Sequence, residues 1–351
     1  MVDCQGFTSP KGEPLPNDDL NLQLVWLRAL ENYGVRGITP QLLGEYWLEY
    51  VTGSWNEYGI AKGNLRAGLL PPYSGEYDNG KWKNSNGAWI RTEIWACLFP
   101  GAPELAVRFA YKDACVDHGM GEGTAAAMFV AALESAAFAE TDIRKLIDGA
   151  LSYAPENSRL VASVKKAIAL YDAKTPFAEA RNAIVAETAD LGWFQAPANV
   201  SFAVLGLLYG EGDFKSTMLH AINCGDDTDC TAATVGALMG IMHGKAGIPS
   251  DWAEYIGDDI KSAAIDMSIS YIYPRTCTEL THRIAELIPT AFHAYEIPFA
   301  FIEGESDWSG HEERKGDQLV LVPDFDLPST GLSMDFPDLH YARGRVEIRP
   351  L

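Results

Sequence analysis

The sequence has few cysteines and no arrangement of them that would cross-link the chain. Six cysteines are scattered over 351 residues, and no two of them form a Cys-x-x-Cys pair. They are Cys4, Cys97, Cys115, Cys224, Cys230 and Cys277. This pattern excludes a disulfide framework as the basis of the fold and predicts reduced thiols, as in a cytoplasmic protein.

Basic residues are also scarce. The chain carries 27 Lys and Arg against 48 Asp and Glu, a net charge of −21. With no basic stripe to neutralise phosphates, nucleic acid and anionic membranes are not expected as partners. An anionic substrate would need local positive charge from metal ions, helix N-termini or a few arginines. There is no apolar run of about 18 residues for a membrane span and no visible signal peptide.

Several catalytic motifs are absent. There is no Gly-x-Ser-x-Gly elbow, no His-Glu-x-x-His pair, no P-loop and no Rossmann glycine pattern. Serine hydrolase, zinc protease and NTPase functions therefore lack support from sequence. What the chain does have is 47% apolar residues, enough for a sizeable core.

Hydrophobic periodicity predicts an all-α, compact multi-helix domain. The first helices are expected from Leu20 to near Gly34 and from Thr39-Pro40 to about Val51, followed by an irregular stretch at 52–86. Further helices are predicted at 88–98, 103–116, 123–139, 142–152, 159–172, 176–189, 199–209, 213–222, 230–243, 251–263 and 277–289. Thr141 is the expected N-cap of the helix at 142–152. After about Ile297, alternating apolar residues predict a short β-rich tail, so we divide the chain into 1–296 and 297–351.

The most informative stretch is 223–240, a loop crowded with carboxylates that leads into a small-residue helix. Asp226, Asp227 and Asp229 place three carboxylates within four residues. Such charges repel one another, and a bound divalent cation compensates far better than a helix N-terminus does. Oxygen ligands suited to Mg²⁺ are offered by Asp227, Thr228, Asp229 and Thr231. A helix cap is the alternative for any single aspartate, but the Asp-Thr-Asp pattern favours a metal.

Asn17-Asp18-Asp19-Leu20 forms a second carboxylate pair at a predicted helix start. Alone it would be an N-cap. Combined with 227–229 in one fold, it would complete a site in which carboxylates from two helix ends hold two cations.

Two further polar stretches precede predicted helices, Asn84–Arg91 and Asp117–Thr124. Free backbone N–H groups at the first could hold a phosphate, although a structural turn is the default for an Asn-Gly pair. His118, in the second, is either structural or close to a ligand. The aromatic residues Trp55, Tyr58, Tyr73 and Tyr77 could stack on adenine or simply pack the long loop.

Three of these motifs resemble those of the ADP-ribosylglycohydrolase family over residues 17–290. Gly225-Asp226-Asp227-Thr228-Asp229-Cys230 is similar to the family pattern Gly-Gly-Asp-x-Asp-Thr. Asn17-Asp18-Asp19-Leu20 is similar to Thr-Asp-Asp-Thr, and Asn86-Gly87-Ala88 with Arg91 is similar to Asn-Gly-Ala-x-x-Arg. The chain departs from these patterns at Asn17, Leu20, Asp226 and Cys230, where a thiol replaces a metal-binding Thr.

The resemblance implies Mg²⁺-dependent hydrolysis of a glycosidic bond to ADP-ribose, with two ions, or Mn²⁺ in their place. The implied metal ligands are Asp18, Asp19, Asp227, Asp229 and Thr231. Of these, Asp18, Asp19 and Asp227 would also serve catalysis, with ADP-ribose or an ADP-ribosylated substrate as the ligand. The implied substrate-binding residues are Asn86, Gly87, Arg91, His118, Gly119, Gly121 and Gly123.

The family also carries a catalytic Glu in a helix upstream of the first Asp pair, whereas 16 residues precede Asn17 here. The expectation is a shortened form, a chain that dispenses with this group, or another loop that supplies it, with Glu122 as the acid or base considered. The rival hypothesis is a catalytically weak or inactive protein that binds ADP-ribose on the same fold. A hydrolase for a different nucleotide-linked sugar is a third option. The acceptor group and the oligomeric state stay open.

Overall fold

The computed structural model describes residues 10–262, 272–297, 300–303, 319–322 and 346–348. Fifteen α-helices lie in this part of the chain. The first seven are α1 (Asp18–Gly37), α2 (Pro40–Tyr50), α3 (Asn56–Arg66), α4 (Tyr73–Glu76), α5 (Glu93–Leu98), α6 (Pro103–His118) and α7 (Glu122–Ala136). The others are α8 (Ile143–Ala150), α9 (Arg159–Asp172), α10 (Phe177–Thr188), α11 (Ala196–Gly210), α12 (Phe214–Asn223), α13 (Thr228–His243), α14 (Ser250–Ile256) and α15 (Cys277–Ala294). The protein is therefore predominantly α-helical, as predicted.

Short polar side chains fix the helix starts. Asn17 accepts a hydrogen bond from the Asp19 N–H at the start of α1, and Thr39 accepts one from Leu42 at the start of α2. These contacts satisfy backbone donors that have no partner inside the helix. The predicted cap at Thr141 is wrong, because the Asp142 carboxylate accepts the N–H groups at the start of α8.

The stretch 52–86 was predicted to be irregular, and this is also wrong. It contains α3, α4 and a 3-10 turn at Trp82–Asn84. Gly59 and Gly63 lower the helix propensity of α3, which hides it in the sequence. Burial of Tyr58 and Ala61 nevertheless favours the helix, and the Lys62 ammonium group satisfies backbone carbonyls at the end of α2.

The core is built around helices buried on nearly every face. The long helices α6 and α7 pack against each other, and α11 packs against α9 and α12. Large buried side chains, among them Trp26, Trp47, Trp89 and Trp95, surround the region where α1, α5 and a 3-10 turn at Trp89–Arg91 meet. This packing brings the N-termini of α1 and α13 to one side of the domain.

Beyond α15 the structure describes three short strands, β1 (Ala300–Glu303), β2 (Leu319–Val322) and β3 (Val346–Ile348). They pair antiparallel in the order β1-β2-β3, with Ala300 opposite Val322 and Leu319 opposite Ile348. The residues between them lie outside the described part of the chain. The helix predicted at 251–263 is too long, because α14 ends at Ile256, where Gly257 takes a left-handed φ of 79°. The domain boundary at 296–297 stays a prediction. Among the described residues, no helix combines the length and the apolar character that a bilayer crossing requires.

Candidate active site

The two carboxylate motifs meet although 212 residues separate Asn17 from Asp229. The Asn17 Nδ2 donates a hydrogen bond of 3.3 Å to an Asp229 carboxylate oxygen. Asp19, Asp229 and Cys230 each place one ligand-type atom within 4.8 Å of the others. The start of α1 therefore faces the start of α13, which is the arrangement a shared cation needs.

Asp19 carries the clearest signal for a cation. Its carboxylate is 5% exposed, and neither oxygen has a hydrogen-bond partner among the described residues. Burial raises the pKa of Asp19 well above its usual value, and the charges of Asp18 and Asp229 raise it further. An unpaired buried carboxylate is costly unless it is protonated or binds a cation, so Mg²⁺ fits the chemistry of this group.

Asp18 and Leu20, on either side of Asp19 in the chain, have different surroundings. The Asp18 carboxylate accepts a hydrogen bond of 3.0 Å from the Tyr58 hydroxyl. Leu20, where the family pattern has a threonine, lines an apolar cavity of about 350 Å³ beside Asp19. Small residues of α13, namely Ala233, Gly236, Ala237 and Gly240, line the same cavity. The small side chains on this face of α13 therefore leave an open cavity.

Asp227 occupies the N-cap position of α13, but its side chain makes no capping hydrogen bond. Its carboxylate instead accepts a hydrogen bond of 2.6 Å from Asn86, and its N–H donates to the Asn199 side chain. Burial raises the pKa of Asp227 to about 6, while hydrogen bonds from Cys230 and Asn86 oppose the rise. The Asp227 carboxylate is therefore oriented by Asn86 and does not cap α13.

Cys230 and Thr231 follow on the same helix. Burial and the charges of Asp19 and Asp227 raise the pKa of the Cys230 thiol far above its usual value. A protonated thiol is a poor ligand for Mg²⁺, and this one donates to Asp227. The buried Thr231 hydroxyl donates its hydrogen to the carbonyls of Asp227 and Thr228, so it would meet a cation only through its oxygen lone pairs.

The Asn-Gly-Ala-x-x-Arg segment forms a rigid buried turn. Trp89 donates to the Asn86 side-chain oxygen at 3.0 Å, which fixes the amide that holds Asp227. Arg91 is fully buried, and its guanidinium donates to the Asp113 and Asp117 carboxylates and to the Gly87 carbonyl. In the structure Asn86 and Arg91 shape the site, and their expected contact with substrate stays a prediction.

His118 is also buried. Its Nε2 lies 3.1 Å from the Ser85 Oγ, and its Nδ1 lies 3.0 Å from an Asp117 oxygen. The arrangement resembles a Ser-His-Asp triad, but all three side chains are inaccessible and Ser85 donates to the Trp82 carbonyl. This cluster is a structural support for the 85–91 turn.

The glycines after His118 allow close packing. Gly119 has a φ of 52°, a left-handed conformation that favours glycine. A Cβ on Gly121 would lie 2.1 Å from the Lys83 carbonyl, and one on Gly123 would lie 2.2 Å from the His118 ring. The Gly121 N–H donates to the His118 carbonyl, so this amide is already paired within the loop.

Glu122, considered from sequence as an acid or base, is engaged by backbone donors in the structure. Its two carboxylate oxygens accept hydrogen bonds of 2.9 and 2.8 Å from the backbone N–H groups of Arg159 and Leu160. Because these N–H groups lie at the start of α9, they have no partner inside the helix itself. Glu122 therefore joins α7 to α9.

The aromatic residues of the long loop divide into two groups. Tyr58 is 1% exposed and packs between Trp47 and Trp55, so it has no free face for adenine. Tyr73 and Tyr77 are exposed. A different exposed ring, Trp193, lines a cleft of about 490 Å³ next to Asp226.

Sequence reasoning missed three contacts that hold the site. Tyr58 supports Asp18, Asn199 supports the Asp227 backbone, and Asp226 accepts the Phe194 N–H at 3.0 Å. It also missed Glu57, which is buried against Gly87. Burial raises the pKa of the Glu57 carboxyl group to about 7. The sequence carried no signal for Glu57, or for the contact of Tyr58 with Asp18, because α3 itself was hidden.

The fold and site define a helical protein with a candidate divalent-cation centre built from two carboxylate motifs. The profile described as ADP-ribosylglycohydrolase matches residues 3–282, so the chain belongs to that family. It is 37% identical over 54 residues to "ADP-ribosylarginine hydrolase Tri1" of Pseudomonas putida (strain GB-1), which is 15% of each chain. It is 28% identical over 72 residues to the protein of the same name in Serratia proteamaculans (strain 568), 20% of each chain. The aligned segments thus span a fifth or less of these relatives.

Proposed function

We propose that this protein is a Mg²⁺-dependent hydrolase that cleaves the glycosidic bond between ADP-ribose and an acceptor. The observation that carries the proposal is the meeting of Asp19 with Asp229, two carboxylates from distant helix starts. Asp19 is buried, and within the described residues neither of its oxygens has a hydrogen-bond partner. Family membership supports the same reaction.

Asp18, Asp19, Asp227 and Asp229 are the residues that would hold Mg²⁺. A bound ion supplies charge that orients ribose hydroxyls and polarises the reacting groups. Hydrogen bonds orient two of these carboxylates: Asn86 donates to Asp227, and Tyr58 donates to Asp18. Asp229 is exposed and lies on the side from which a ligand would enter.

The acceptor that we propose to test first is arginine, because both relatives are named ADP-ribosylarginine hydrolases. We also propose a cytoplasmic location. In the described residues, Cys97, Cys115, Cys224, Cys230 and Cys277 are free thiols, which is typical of a reducing compartment.

A catalytically inactive ADP-ribose-binding protein is the second candidate function. The protonated Cys230 thiol and the apolar Leu20 stand where the family pattern has metal-binding threonines. Glu122, the acid or base considered from sequence, is engaged at the start of α9.

The test is release of free ADP-ribose from an arginine-ADP-ribosylated protein, with a serine-linked conjugate in parallel. We expect Mg²⁺-dependent release that chelator abolishes and Asp19→Asn strongly reduces. Exchange of the exposed Glu45, far from the motifs in sequence, for Gln serves as control. If ADP-ribose binds but neither conjugate is cleaved at any Mg²⁺ concentration, the binding protein becomes the better description.

A further inference from the structure

The first turn of α3 touches both halves of the candidate metal site. Tyr58 donates its hydroxyl hydrogen to the Asp18 carboxylate at 3.0 Å. Its buried ring has centroid distances of 4.9 Å to Trp47 and 5.4 Å to Trp55. Because the ring is buried against both tryptophans, the hydroxyl cannot readily follow Asp18 if that carboxylate moves. Tyr58 therefore fixes the position of one Asp18 oxygen.

Glu57, the residue before Tyr58, packs against the Asn86-Gly87 turn that orients Asp227. A Cβ on Gly87 would lie 2.3 Å from the Glu57 Oε1, so the Gly87 backbone is in close contact with this carboxyl group. Gly87 directly follows Asn86, whose amide donates to Asp227 at 2.6 Å. Movement of Glu57 would therefore shift the amide that orients Asp227.

We propose that Glu57 and Tyr58 are positioning residues that set the spacing between the two metal-binding motifs. Tyr58 acts through Asp18, and Glu57 acts through the Asn86-Gly87 turn. The inference rests on the proposed Mg²⁺ site and adds the element that fixes its geometry. Partners behind metal ligands typically change metal affinity by about 10–100-fold when they are removed.

The test is Mg²⁺ binding to the full chain by titration calorimetry, without substrate. Tyr58→Phe should weaken Mg²⁺ binding about tenfold or more, because it removes one oxygen and keeps the ring. Tyr33→Phe, which changes an exposed ring on α1, should leave the affinity unchanged. In an Asp18→Asn background, Tyr58→Phe should have little further effect, since its partner is already altered.

Glu57 provides an independent arm. Glu57→Ala should weaken Mg²⁺ binding, whereas Glu57→Gln, which keeps the contact with Gly87, should largely restore it. Circular dichroism melting of each variant checks the fold, and if Tyr58→Phe does not fold, the Glu57 pair decides alone.

The outcomes separate the two proposals. Absence of Mg²⁺ binding in the wild type overturns the proposed metal site and this inference with it. Wild-type binding that neither Tyr58→Phe nor Glu57→Ala weakens overturns only the positioning role. An equal loss from Tyr58→Phe with and without Asp18→Asn also overturns it, because the effect then does not pass through Asp18.

Discussion

At the scale of single residues, burial dominates the protonation of the carboxyl groups around the site. It is the largest cause of the raised pKa of Asp19, Asp227 and Glu57, ahead of any neighbouring charge. A buried carboxylate without a cation is disfavoured in its charged form. These groups therefore reduce stability at neutral pH unless something positive binds them.

Glu57 allows this cost to be measured. Its pKa is about 7 in the folded protein against a usual value of 4.5, so the folded state holds the proton more tightly than the unfolded chain. The free energy of unfolding should then fall as the pH rises from about 4.5 to about 7. Glu57→Gln cannot ionise, so its free energy of unfolding should rise relative to that of the wild type by on the order of 3 kcal/mol over this range.

The measurement is urea unfolding of wild type and Glu57→Gln at several pH values between 4.5 and 8. Glu45→Gln, at an exposed position on α2, is the matched control and should track the wild type at every pH. A difference between Glu57→Gln and wild type that stays constant with pH would contradict the raised pKa.

The sequence revealed the aspartates of the site and Asn86, but not the contact that holds Asp18. Asp18 with Asp19, and Asp227 with Asp229, are visible because clustered carboxylates at helix starts need compensation. Tyr58 could not be assigned, because its partner Asp18 lies 40 residues away and only the tertiary fold joins them.

At the scale of elements, the long helices were predictable and the special segments were not. The strongly periodic helices α6, α9 and α12 begin and end within two residues of the predicted bounds. Helix α3 was missed because its stability comes from tertiary burial, which local propensity does not register. The same limit explains Glu122, whose role depends on α9 beginning beside it.

The contact between α7 and α9 gives a prediction for Glu122. Glu122→Ala leaves the Arg159 and Leu160 N–H groups without their carboxylate partner and should cost about 1–3 kcal/mol of stability. Glu122→Gln, which keeps one acceptor oxygen, should cost less. Denaturant unfolding measures both effects, and kcat should not change beyond twofold or so. A fall in kcat of about 10²-fold in Glu122→Gln with stability intact would restore Glu122 as an acid or base.

At the scale of the whole molecule, the charge of −21 opposes the binding of an anion such as ADP-ribose. In the described part of the chain, Arg91 is buried in ion pairs with Asp113 and Asp117 and is not available to a diphosphate. Divalent cations at Asp19 and Asp229 would offset the negative charge next to the ligand. Binding of ADP-ribose should therefore depend on Mg²⁺ far more than it would in a basic cleft.

Thermal unfolding of wild type and Asp227→Asn with ADP-ribose, each with Mg²⁺ or chelator, tests this coupling. Asn keeps the volume of Asp and caps helices about as well, and the Asp227 carboxylate makes no capping bond to lose. We expect ADP-ribose at roughly a hundredfold excess over Kd to stabilise the wild type with Mg²⁺ by about 2.7 kcal/mol. The shift should be much smaller in chelator and in Asp227→Asn, which lacks one negative charge for the cation. Equal shifts in all four conditions would remove the metal from the ligand site. No shift in any of them would count against ADP-ribose, and family membership would then describe the fold alone.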